Sequence, residues 1–130
     1  MSRLVVEAVS GESKFTDIVF QLELFVSVVD ANSGAPISGL LPEHFRLCTP
    51  SGKVFDMMIS AGVETSWARS GGERSGCYAL GISIARESGK QNIEWMEGEY
   101  YPFGVQVRFT DEQNGVHMGQ TVVRVQSLGK

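Results

Sequence analysis

The sequence predicts an all-β chain, an antiparallel β-sandwich of roughly seven or eight strands in one domain over residues 1–130, on three observations. Between Phe20 and Val28 the even positions are Phe20, Leu22, Leu24, Val26 and Val28, whereas Gln21, Glu23, Phe25 and Ser27 take the odd ones. A period of two with one wholly apolar face is a strand covering a core. The alternation returns at Tyr78, Leu80, Ile82 and Ile84 and again at Phe103, Val105, Val107 and Phe109, with turn residues clustered between the runs. Finally, the 15 glycines exceed the roughly 7% of an average chain, which favours many turns and short strands over long helices.

Taken in order, residues 3–9 read as an edge strand with both parities mixed, and residues 10–16 as a polar loop. The strand over residues 18–30 ends where Asp30, Asn32, Gly34, Pro36 and Gly39 cluster. Gly supplies positive φ, Pro presets φ, and Asp or Asn closes turns through its own side chain. Leu41-Pro42-Glu43-His44 reads as a turn or short 3-10 piece leading to a strand over residues 45–49. Pro50-Ser51-Gly52-Lys53 has hairpin composition; Phe55, Met57 and Ile59 then share one parity, which Val63, Thr65 and Trp67 repeat. Residues 70–76 form a Gly-rich loop before the strand over residues 77–85. Residues 86–97 are polar and broken by Gly89, with room for a helical turn at residues 93–96.

The strand that ends at Thr110 is joined to the last one, residues 116–126, by the strongest hairpin signal in the chain, Asn114-Gly115. In that last strand Val122 and Val123 take opposite faces, and Gly119 would permit a bulge that shifts parity. The core is expected to contain Phe20, Leu22, Leu24, Val26, Leu80, Ile82, Val105 and Val107, the members of the unbroken apolar parities.

Val26-x-Val28-x-Asp30, Ser33-Gly34-x-Pro36-Ile37-x-Gly39-Leu40 and Phe45 resemble the strand-turn-strand of immunoglobulin-like and transthyretin-like sandwich modules in bacterial multidomain proteins. His44 stands where those modules usually carry Asp. The resemblance spans about a fifth of the chain and implies a fold, since such modules host many functions. In immunoglobulin-like modules a Tyr opening the penultimate strand hydrogen-bonds back to the chain at a corner between sheets. Gly98-x-Tyr100 implies that Tyr100 or Tyr101 serves here; Gly76-x-Tyr78 has the same form, but only the former precedes the final hairpin.

A net charge of -4 with Arg and Lys scattered singly provides no basic stripe for phosphates, so nucleic acid is not an expected partner. No stretch approaches the ~18 apolar residues that span a bilayer, and the N-terminal run is too short for a signal peptide. A complete chain would then be cytoplasmic. The two cysteines, Cys48 and Cys77, lack metal or redox spacing and fall on outward parities. They are expected to stay unbridged, unlike the inward disulfide of antibody domains.

No Gly-x-Ser-x-Gly elbow accompanies a credible His and Asp, so no catalytic residue is expected. His44 at a turn and His117 after the hairpin read as solvated surface histidines. Residues 70–76 lack the Gly-Lys-Ser/Thr ending of a phosphate loop. Asp30, Asn32, Asp111 and Glu112 offer oxygens to Ca²⁺ but no full ligand-loop pattern, so turn capping is favoured and no metal or cofactor is assigned. Trp67 shares a core parity, and Trp95 is the better exposed platform for a sugar.

The chain is thus expected to be a non-enzymatic structural or protein-interaction module whose partner is another protein or a second copy. The alternative is a module binding carbohydrate or calcium. Immunoglobulin-like topology would bring the loops over residues 30–39, 70–76 and 111–115 to one end, with Asp30, Asn32, Arg74, Asp111 and Glu112 at the contact.

Overall fold

The computed structural model describes residues 2–11, 14–15, 20–48, 57–65, 76–84 and 100–126. They are nearly all β, in one mixed sheet that curls as a half-barrel. The strands are β1 (Ser2–Ser10), β2 (Lys14–Phe15), β3 (Phe20–Asp30), β4 (Phe45–Cys48), β5 (Met57–Thr65), β6 (Cys77–Ile84), β7 (Tyr100–Thr110) and β8 (Val116–Gln126). A three-residue 3-10 turn, η1 (Pro42–His44), precedes β4 as the sequence predicts, with Pro inside its first turn where a missing N–H costs nothing.

The strands follow the order β4-β7-β8-β1-β3-β6-β5, with β2 pairing β3 outside that path. All ladders are antiparallel but one, since β1 meets β8 in parallel with Ser2 opposite His117 and Arg3 opposite Met118. The expectation of a wholly antiparallel arrangement is corrected there. It is corrected too for β1, which is no edge: it pairs β3 along residues 4–10 and β8 at its start. Its mixed parities reflect an inward face of Leu4 and Val6 and an outward face on which Val5 and Val9 lie exposed.

The core lies inside the curl. Leu22, Leu24, Val26, Leu80, Ile82, Val105 and Val107 are all buried as predicted, joined by Val28, Phe45, Tyr78, Phe103, Val123 and Val125. The side chain of Phe20 lies outside the described residues. Burying a side chain of this size stabilises by about 1.5–3 kcal/mol, so the inward parities of β3, β6 and β7 supply most of the driving force for the curl.

Two local devices differ from the expectations. Gly119 makes no bulge, because β7 and β8 stay in register from Tyr100 opposite Gln126 to Thr110 opposite Val116. It instead lies close against β1, where an added Cβ would lie 2.5 Å from the Leu4 carbonyl oxygen and 2.9 Å from Leu4 Cβ. A bulge does interrupt β5, between Ile59 and Ala61. Ile59 is opposite Ile82, a core position, whereas Val63 is opposite Ala79 and Thr65 opposite Cys77, on the outward register. The shared parity predicted for Met57, Ile59, Val63 and Thr65 is therefore broken at Ser60 by one inserted residue.

The tyrosine whose hydroxyl bonds back to the chain is Tyr78. It is buried on β6, and its hydroxyl donates to the Ile37 carbonyl at 2.5 Å while accepting the Leu40 N–H at 3.2 Å. Tyr100, favoured from its place before the last hairpin, is 61% exposed, and Tyr101 is partly buried against the core. Cys77, on the parity opposite Tyr78, is half-buried and carries a thiol rather than a disulfide. Cys48 is opposite Gly104 on β7, and its side chain lies outside the described residues.

Candidate functional site

Two turn-forming carboxylates define one end of the sheet. β3 and β7 end there while β1, β6 and β8 begin there, since Asp30 lies opposite Leu4, Cys77 opposite Ser27, Thr110 opposite Val116 and Ser2 opposite His117. The loops following β3 and β7 therefore emerge together, as the sequence predicts, and the chain reaches β6 at the same end. Gly76 there abuts the loop after β3: its carbonyl accepts the Val28 N–H, and an added Cβ would lie 2.8 Å from Pro36 Cβ.

In the first loop Asp30 Oδ1 accepts the N–H groups of Asn32 at 2.7 Å and Ser33 at 3.0 Å, while the Asp30 carbonyl accepts the Gly34 N–H. This is an Asx turn, which an aspartate favours because its short carboxylate reaches its own backbone two residues on. Gly34 and Gly39 sit at positive φ, which the turn requires and Gly provides without a Cβ penalty. Hydrogen bonds from Ser33 and Asn32 hold the Asp30 carboxyl below its ordinary value.

The second loop repeats the device more tightly. Asp111 Oδ1 accepts the N–H groups of Gln113 at 2.9 Å and Gly115 at 2.8 Å, and Oδ2 accepts the Nε2–H of His117 at 2.7 Å. The bond from His117, then that from the Gly115 backbone, holds the Asp111 carboxyl below its ordinary value. Asn114 takes a positive φ of 61° but Gly115 does not, so the hairpin closes without the type I′ pair that Asn-Gly favours. Ser2 joins the two loops, with its hydroxyl 3.5 Å from Asp30 Oδ2 and its backbone opposite His117.

Neither histidine is a free surface group. The His117 ring stacks on Phe109 with centroids 4.6 Å apart and planes 9° from parallel, and its side chain is only 18% exposed. His44 meets the same Phe109 edge-on at 6.4 Å. Sequence reasoning missed this pairing because Phe109 lies on a parity that reads simply as core; its outer end is in fact shared by the two histidines.

Chemically, the Asp111–His117 pair has the form of an oriented base, in which a carboxylate fixes the imidazole tautomer. The other nitrogen, Nδ1, is buried with no hydrogen-bond partner, so among the described residues the pair addresses no hydroxyl or thiol, and it holds the hairpin. No group of three or more His, Cys, Asp or Glu side chains converges among the described residues. No helix there is long and apolar enough to cross a membrane.

Of the predicted contact residues, Asp30 and Asp111 thus face inward on their own loops, while Asn32 and Glu112 are exposed at the loop tips. Arg74, most of the loop over residues 70–76, and both Trp67 and Trp95 lie outside the described residues. No family model, curated protein or solved structure matches the chain.

Proposed function

We propose that this chain is a non-enzymatic immunoglobulin-like sandwich module that meets a protein partner through the loop end bearing Asn32 and Glu112. Strand order supports the fold part of this reading. The run β4-β7-β8 followed by β1-β3-β6-β5 has the order of the CFG and ABED sheets of immunoglobulin constant-type domains, with the parallel β1–β8 contact joining them.

The observation that carries the functional part is the self-capping of both loops. Asp30 and Asp111 hold the turns with their own carboxylates, which leaves Asn32, Ser33, Glu112, Gln113 and Asn114 exposed on a fixed frame. Polar, adaptable side chains on rigid loops suit recognition, because little further ordering is needed on binding. A photo-crosslinking residue at Asn32 or Glu112 is expected to yield adducts with the partner, and one at Val122, on the outer face of β8, to yield none. Adducts from Val122 alone would move the interface to the strands and end this reading.

A further inference from the structure

We propose that η1 is an acid-released latch, closed by neutral His44 and opened when that imidazole takes up a proton. The Leu41 N–H donates to His44 Nδ1 at 2.9 Å, and the His44 N–H donates back to the Leu41 carbonyl at 2.9 Å. The pair closes the turn from both sides. In a capping box the third helical residue, usually Glu or Gln, accepts the N–H of the residue that opens the turn. Here the acceptor is an imidazole nitrogen.

That substitution changes what acid does to the turn. A neutral imidazole has one nitrogen lone pair that can accept, and in this turn it is the one on Nδ1; in the imidazolium both nitrogens are donors. Protonation therefore sets one N–H against another and removes the bond from Leu41. Histidine is the side chain whose unperturbed charge change falls between about pH 5 and 8, well above the range in which Glu would be lost and where Gln never titrates.

The titratable groups near the turn come from each element packed against it. Glu43 belongs to the turn itself and Arg46 to the strand that follows. β7 contributes Phe109 against the ring, with Arg108 and Asp111 on either side of it in sequence, and β8 contributes His117 on the same phenyl group. β5 also packs on η1, and its one titratable residue is Glu64, opposite Tyr78 in register. β4 follows directly, and its Phe45 N–H donates to the Pro42 carbonyl, so the chain beyond the latch stays anchored when the Leu41 bond is gone. What opens is the segment at Leu41, Pro42 and Glu43.

The test is nuclear magnetic resonance on the whole chain with labelled histidine and leucine. The coupling across the N–H···N bond between Leu41 and His44 Nδ1 is expected at high pH and lost in step with the proton uptake of His44. The Leu41 amide protection factor is expected to fall at least tenfold over the same step. His44→Gln, which keeps an acceptor that does not titrate, should hold Leu41 protected throughout, and His44→Phe should leave it unprotected throughout. Protection that persists after His44 has been protonated, or an equal pH step in His44→Gln, overturns the proposal.

Discussion

The Phe45 ring packs edge-on against that of Tyr78, centroids 5.2 Å apart and planes at 60°, across the interior of the curled sheet. Phe45 opens β4 at one end of the strand order and Tyr78 lies on β6 near the other, so this single contact closes the curl. The Tyr78 hydroxyl meanwhile binds the segment that leads into β4. One side chain thus joins apolar closure to backbone satisfaction.

Tyr78→Phe keeps the ring contact and deletes both hydrogen bonds, leaving the buried Leu40 N–H without its acceptor. A loss of about 1–3 kcal/mol is expected from urea unfolding, with the denaturant slope unchanged. Tyr78→Ala, which adds a cavity, should cost about 3–5 kcal/mol. A Phe variant as stable as the parent would show that the hydroxyl is satisfied elsewhere.

Two glycines separate crowding from backbone strain. Gly119→Ala forces a Cβ to within 2.5 Å of the Leu4 carbonyl, where backbone on both sides must shift. The expected cost is about 1–3 kcal/mol of overpacking, together with weaker exchange protection where Ser2 and Arg3 meet β8. Gly34→Ala meets nothing within 4 Å but sits at φ +71°, so about 1–2 kcal/mol of left-handed strain is its whole penalty. A β1 that keeps its protection in Gly119→Ala would contradict the close approach.

Val122 and Val123 test the face assignment of β8. Val122 is 61% exposed and Val123 5%. Replacing Val122 with Thr should stay within about 0.5 kcal/mol of the parent, whereas Thr at Val123 buries a hydroxyl and should cost about 1–3 kcal/mol. Equal effects would mean that the outer face of β8 is also covered.

Most of the strands were legible because their inward parities are unbroken: Leu22 to Val28, Tyr78 to Ile82 and Phe103 to Val107 each mark one buried face. β1 reads as an edge because alternation reports which face is buried and not which edges are paired. Its second neighbour, β8, lies over a hundred residues away, and only the missing side chain of Gly119 marks the meeting. Ser60 carries no local signature of the β5 bulge, and because Gly-x-Tyr occurs twice it does not single out Tyr78. At the loop end, Asp30, Asn32, Asp111 and Glu112 were legible as turn residues. What the sequence left open was which of them hold the turns, since that depends on the reach of each carboxylate to its own backbone and, for Asp111, on His117.

That division of labour gives the last prediction, in pH. The Asp30 and Asp111 carboxyls titrate below 3.8 in the folded chain, held down respectively by the Ser33 and Asn32 backbone N–H groups and by His117 with the Gly115 backbone. With the unfolded value near 3.8, the unfolded chain binds protons first as the medium is acidified. The stability that these carboxylates contribute is therefore complete above pH 3.8 and is lost as the pH falls through their lower, folded values. Both groups are open to solvent, so screening keeps the effect modest. Asp111→Asn should lower the melting temperature at neutral pH and flatten the decline between pH 3.8 and pH 2, because its amide can still accept a loop N–H but neither titrates nor attracts His117. Glu112→Ala, at the exposed tip, should leave both the melting temperature and the acid limb unchanged. Melting curves collected from pH 2 to pH 7 check this directly, and an acid limb as steep in Asp111→Asn as in the parent would mean that the hairpin does not owe its order to this carboxylate.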